Sequence, residues 1–239
     1  MKKALFYARS WLARLVTYPQ KTISLDETYH EYWTERGRNS TPVLSDWQKD
    51  RSAIILARLV RGASIADFGC GDGAMLKYIG DQSQATHLVG YDLESQILAI
   101  AARQGIETHE LSAEDAVASP GLLAEVDYYL ACEVLEHVPF SEQLLATMLS
   151  KSRKGVFFSI PNTGFFMHRF RLLFGKVPAQ WIRQPNEHVR FWTIVDVRWW
   201  LRALGYQKFE IIPYRGVPVL NKIWPNLFAE GVVVYLSLR

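Results

Sequence analysis

From about residue 50 onward, short apolar runs alternate with segments of helical period, and few folds accommodate that rhythm. Strands that alternate with helices are joined by crossovers, pair in parallel, and bury both faces of their sheet under those helices. "DRSAIILARLV", opening at Asp50 and stopped by Gly62, reads as the first helix, followed by a buried strand "SIADF". Helix "AMLKYIG", strand "HLVGYD", helix "ESQILAIAARQG", strand "IETHEL" and strand "VDYYLAC" come next. "SEQLLATMLSKSRKG", with Ser141 as its expected N-cap, precedes a fifth strand "VFFSI". "TIVDVRWWLRALG" carries a Thr193/Asp196 capping box, and "YQKFEIIPY" and "GVVVYLSL" supply two late strands around a Pro-containing segment over 213–230.

Two stretches stand outside the rhythm. Residues 1–49 are expected to form an N-terminal helical extension, leaving 50–239 as the main domain. The opening "MKKALFYARSWLARLVTY" spaces its apolar residues as an amphipathic helix, but Arg9 and Arg14 interrupt it too early for a secretion signal. Residues 162–192 are rich in aromatics and Arg, show no clean strand or long helix, and are expected to be an insertion on the acceptor side. All eight tryptophans lie outside residues 50–180, which makes the central unit a plain scaffold between more specialised ends.

The composition excludes several classes. At 239 residues and 49% hydrophobic content the chain buries a large core, and a formal net charge of +3 gives no whole-surface nucleic-acid footprint. Two cysteines, Cys70 and Cys132, make neither a disulfide framework nor a zinc set, so no metal ligands are expected and a reducing, cytoplasmic setting fits. They are expected to be small thiols that pack the ligand cleft rather than a redox pair.

"DFGCGDG" joins the first strand to the following helix, and Gly69, Gly71 and Ala74 satisfy the dinucleotide-binding spacing, with Asp92 ending the next strand as a ribose-binding acid. The flanking carboxylates oppose a dinucleotide. Like charges near 4 Å repel by about 4 kcal/mol at an effective dielectric of 20, so Asp67 and Asp72 disfavour a pyrophosphate. A ligand with a ribose and an ammonium group is drawn by the same acids, and S-adenosylmethionine has both.

At these residues the chain resembles the class I S-adenosylmethionine-dependent methyltransferases, through "IADFGCGDGAML", "GYDLES", "ELSAEDAV" and "VDYYLACEVLEHVP" in order. The resemblance implies a Rossmann-like, doubly wound, mostly parallel α/β sheet of seven strands with an antiparallel last strand. It implies that Asp67 holds the methionine ammonium, that Gly69 and Gly71 line the backbone beside it, and that Asp92 takes the ribose hydroxyls. Ser112 stands where the family usually has an Asp contacting the adenine amine, and Ala113 offers a backbone N–H there. Cys70, Leu93 and Cys132 complete the expected cofactor set. "SIPNTGFFMHRFRLLFGKVPAQW" with "RQPNEHVRFWTIVDV" is similar to MetW-like proteins, whereas "EVLEHVP" resembles quinone-type and other small-molecule O-methyltransferases.

A base is needed only if the acceptor carries a proton. His137, after the fourth strand, is the first candidate and His188, at the end of the insertion, the second. The insertion reads as a lid, as a surface for lipid or a lipid-linked acceptor, or as a partner face. Small-molecule, quinone-like or lipid-linked acceptors are therefore expected, with peripheral membrane contact through the N-terminal helix or the insertion. "ACEVLEH" in place of the motif of nucleic-acid adenine methylases argues against nucleic acid. A methyltransferase-fold partner subunit with little activity alone is the alternative.

Overall fold

The computed structural model describes residues 41–178 and 188–238. The expected N-terminal helix over residues 1–40 and the middle of the insertion, 179–187, lie outside the described residues.

Helix α1 spans Asp46–Leu56 and starts ahead of the expected Asp50, because Ser45 and Gln48 form a reciprocal capping box. It also stops short of Gly62. Then follow β1 (Ser64–Phe68), α2 (Ala74–Ser83), β2 (His87–Asp92), α3 (Ser95–Ala102), β3 (Glu107–Glu110) and α4 (Ala113–Ala118). The second half contains β4 (Val126–Cys132), α5 (Ser141–Lys151), β5 (Ser152–Pro161), α6 (Phe166–Leu173) and α7 (Ile194–Ala203). It closes with β6 (Phe209–Tyr214), the short α8 (Leu220–Ile223) and α9 (Pro225–Phe228), and β7 (Gly231–Ser237).

The seven strands lie in the order β3-β2-β1-β4-β5-β7-β6. The first five run parallel, and β7 is antiparallel to both β5 and β6. The expected architecture is the observed one. Strand order reverses between β1 and β4, so the loops leaving their C-terminal ends diverge and open the crevice where open α/β sheets bind ligands. Every residue of β1 is buried, as a central parallel strand covered on both faces requires. One face packs Tyr91, Tyr129, Leu144 and Trp200 into a core, and the other packs Ile55, Leu76, Tyr128 and Phe157.

Three local expectations are corrected. Ser141 is the first residue of α5 and not its cap; its hydroxyl donates backwards to the carbonyls of Leu135 and Val138. Strand β5 absorbs the "SRKG" segment assigned to the helix, because β4 pairs back to Ser152 and β7 back to Gly155. Residues 162–192, expected to hold no clean strand or long helix, do contain a short helix, α6, whose buried face includes Met167 and Arg171. Arg171 is 1% exposed and donates from Nε to the Val177 carbonyl at 2.9 Å, so a basic residue occupies a position that a sequence pattern assigns to solvent.

Candidate active site

The glycine loop is built against β2. Backbone N–H groups of Gly69 and Cys70 donate to the Tyr91 carbonyl at 2.7 and 3.0 Å, and Gly71 donates to Asp92 Oδ2 at 2.8 Å. Gly69 has φ +77°, and a Cβ there would come within 2.5 Å of Val134 Cγ2, so the loop also needs glycine to pass the segment after β4. Gly73 has φ +75° and would place a Cβ 2.8 Å from that of Ala101. Asp72 is buried, and its carboxylate accepts from the N–H of Ala74 and of Val43, both at 3.1 Å. It therefore satisfies the first N–H of α2 and pins the lead-in to α1.

Asp67, at 1% exposure, is sealed at the switch point, and its Oδ1 has no hydrogen-bond partner. Burial, and then the negative charge of Asp92, push its carboxyl up to about 7 against the opposing pull of Arg51. Asp92 is also raised, chiefly by burial, although its oxygens accept from the N–H groups of Gly71, Leu93 and Glu94. An orphaned buried carboxylate oxygen beside a second acid suits an incoming ammonium and a ribose diol, and it repels phosphate. These residues fit S-adenosylmethionine.

Just beyond β2, Leu93 is 58% exposed and offers an apolar surface. The Ser112 hydroxyl is taken up locally: it accepts from the Asp115 N–H and donates to Asp115 Oδ2, capping α4. The backbone N–H of Ala113, in the first turn of α4, is the donor that remains from the pair. Burial raises the Cys70 thiol well above its ordinary value, and Cys132 is pushed up to about 12 mainly by burial. Both are free thiols.

A second cluster forms where β4 ends. Glu133 adopts φ +58°, a left-handed conformation that non-glycine residues seldom take. Its carboxylate accepts from the Ser159 hydroxyl at 2.7 Å and lies 3.1 Å from Arg51 Nη1, which itself donates to Ser159 at 2.9 Å. A 3₁₀ turn over Leu135–His137 follows. The Glu136 carbonyl accepts from the N–H groups of Val189 and Arg190 at 2.9 and 3.0 Å, which clips the segment leading to α7 to this turn. His137 and His188 thereby meet edge to face, with ring centroids 4.6 Å apart. Burial, together with His137, pushes His188 down to about 4.

The structure thus gathers Asp67, Gly69, Cys70, Gly71, Asp92 and Leu93 around one loop, sets Ser112 and Ala113 after β3 and Cys132 at the end of β4, and brings the two histidines together. Arg51, Glu133 and Ser159 form a connected group that motif reading missed. One signal was available: Arg51 lies four residues before Ile55, on the face of α1 that must be buried.

This sheet order, with its crevice of acids and glycines, defines the class I methyltransferase architecture. The sequence profile described as "Methyltransferase domain" matches residues 42–211, and the chain belongs to that family. A ubiquinone biosynthesis O-methyltransferase of Paraburkholderia xenovorans is 25% identical over 63% of this chain and 67% of its own length. The bifunctional methionine biosynthesis protein MetXA/MetW of Rhodopirellula baltica is 27% identical over 75% of this chain, which spans 31% of that protein. A SAM-dependent methyltransferase from Thermotoga maritima superimposes with a TM-score of 0.59 at 15% identity, covering 88% of this chain and 94% of that one. The chain is a methyltransferase, and S-adenosylmethionine is its cofactor.

Proposed function

We propose that the chain methylates an oxygen of a small-molecule acceptor that is quinone-like or lipid-linked. The observation that carries this reading is the buried Asp67 Oδ1 left without a hydrogen-bond partner near the end of β1, with the imidazoles of His137 and His188 paired after the neighbouring strand β4. In this reading Asp67 receives the cofactor ammonium, Asp92 the ribose, and Gly69 and Gly71 let the backbone approach. Leu93, Cys70 and Cys132 pack the cofactor's edges, and Ala113 beside Ser112 meets the adenine.

The bound cofactor supplies a methyl group already activated by its sulfonium, so the protein's task is chiefly to position the acceptor, an effect worth about 7–11 kcal/mol. His137 and His188 face the acceptor and manage its hydroxyl. Helix α6 adds an apolar approach: Leu173 and Phe174 are 75% and 67% exposed, with Arg169 and Lys176 nearby in the chain. That mixture suits a lipid-linked acceptor or its membrane. No helix among the described residues is long and apolar enough to cross a membrane.

Calorimetry with S-adenosylmethionine and, separately, NADH tests the cofactor site. The double change Asp67→Ala and Asp92→Ala should abolish S-adenosylmethionine binding and leave the circular dichroism spectrum intact; retained binding defeats the assignment. Release of S-adenosylhomocysteine on adding hydroxylated quinols tests the acceptor class. The similarity to MetXA/MetW favours a second reading, a partner subunit, which predicts a stable complex with a metabolic enzyme and little turnover by the isolated chain.

A further inference from the structure

Glu136, His137 and His188 each offer a ligand atom, and these atoms all lie within 4.8 Å of one another. Two ligands sharing an ion through bonds of about 2.0–2.2 Å stand at most about 4.4 Å apart, so small side-chain rotations close the set. Three further features make this more than a chance grouping. Glu136 is 1% exposed, so a ligand carboxylate at this position is shielded from bulk water. His188 Nδ1 is sealed from solvent and has no hydrogen-bond partner. The two segments that bring the ligands are fastened by the paired N–H donation to the Glu136 carbonyl, and Arg190 anchors the second by bonding Glu142 and the Pro139 carbonyl. A second His/Glu group shows the contrast. His87 and His109 both use Nε2 on the Glu107 carboxylate, at 2.8 and 2.7 Å, and all three are about half exposed.

We propose that Glu136, His137 and His188 bind one divalent cation of mixed nitrogen and oxygen preference, such as Mn²⁺, Fe²⁺, Co²⁺ or Zn²⁺. Three protein ligands leave coordination positions open toward the crevice. There the cation takes an oxygen of the acceptor and lowers the pKa of its hydroxyl, whose proton passes to solvent. This last role rests on the proposed oxygen acceptor; cation binding does not. The histidines then act as ligands rather than as bases.

The test begins with full-length protein stripped by chelator and without cofactor. Equilibrium dialysis and calorimetry with Mn²⁺ and Zn²⁺, and visible absorption with Co²⁺, should show one ion per chain. His188→Ala and Glu136→Gln should each weaken binding at least 10-fold, with folding checked by circular dichroism, whereas the double change His87→Ala and His109→Ala should not affect it. Where Glu136→Gln does not fold, His188→Ala and the Co²⁺ spectrum decide. The proposal is overturned if the wild type takes up no stoichiometric ion, if His188→Ala binds as the wild type does, or if binding is lost in the His87/His109 variant instead. A protein that binds S-adenosylmethionine and methylates quinols in chelator retains its proposed function and loses the cation site. One that binds the ion but methylates no oxygen acceptor loses the function and retains the site.

Discussion

Asp67→Asn isolates the energetic cost of the buried acid at the end of β1. The carboxyl shifts from 3.8 to about 7, so its ionised form is less favourable in the folded chain than in the unfolded one. The sign follows. The penalty is absent below the unfolded value, grows as pH rises, and is complete above about 7, where a shift of this size amounts to about 4 kcal/mol. Asparagine keeps the shape and stays neutral at every pH. Asp67→Asn should therefore be more stable than the wild type at pH 8, and its advantage should shrink by about 2.5 kcal/mol between pH 8 and pH 5. Paired urea titrations at the two values measure this directly, because every other titrating group cancels in the comparison. Parallel stability profiles for the two proteins would refute the reasoning. On the proposed role, the acid that destabilises the apo fold receives the ammonium only when ionised, so wild-type affinity for S-adenosylmethionine should fall by about 30-fold from pH 8 to pH 5.5.

Other expectations follow from single contacts. Gly69→Ala combines a positive φ with a Cβ 2.5 Å from Val134 Cγ2, and it should cost at least about 1–3 kcal/mol in chemical denaturation. Burial raises Asp127, but hydrogen bonds from Lys154 and Ser64 outweigh it and hold the carboxyl at about 2. The stability this contributes is present above the ordinary carboxylate range and lost as pH falls through 2, so Asp127→Asn should cost about 2 kcal/mol at pH 7 in urea titration, and the difference should close in strong acid. Arg51→Met removes the cation that lowers Asp67, so the acid limb of cofactor binding, measured by calorimetry against pH, should move above 7; an unmoved limb would separate the two groups.

The scaffold was legible because a buried parallel strand and its crossover helix each leave a local pattern, and positive φ in the glycine loop restricts residue choice at those positions. What escaped was set by distance in space. Arg171 hid α6 by placing a cation on its buried face, and Arg51 was obscured in the same way within α1. Ser141 looked like a cap but serves the turn before it. His137 and His188 were singled out as separate candidates. Their meeting depends on backbone bonds from Val189 and Arg190 to Glu136, and nothing in either local stretch encodes those bonds.

Arg51 connects the two halves of the crevice. It stands on the helix before the sheet, attracts Asp67 at the end of β1, and bonds Glu133 after β4 and Ser159 on β5. Glu133 holds a left-handed backbone that costs on the order of 1–3 kcal/mol, and such strain persists where surrounding contacts over-determine it. Here Arg51, the Ser159 hydroxyl and the Ser159 carbonyl, which accepts from the Glu133 N–H, supply that constraint. The strained residue turns the chain out of β4 immediately before Glu136 and His137. The same guanidinium that moderates Asp67 therefore also fixes the direction of the Glu136–His137 turn, so a change at α1 reaches both groups, and on the proposed roles it acts on the cofactor and acceptor ends of the site together.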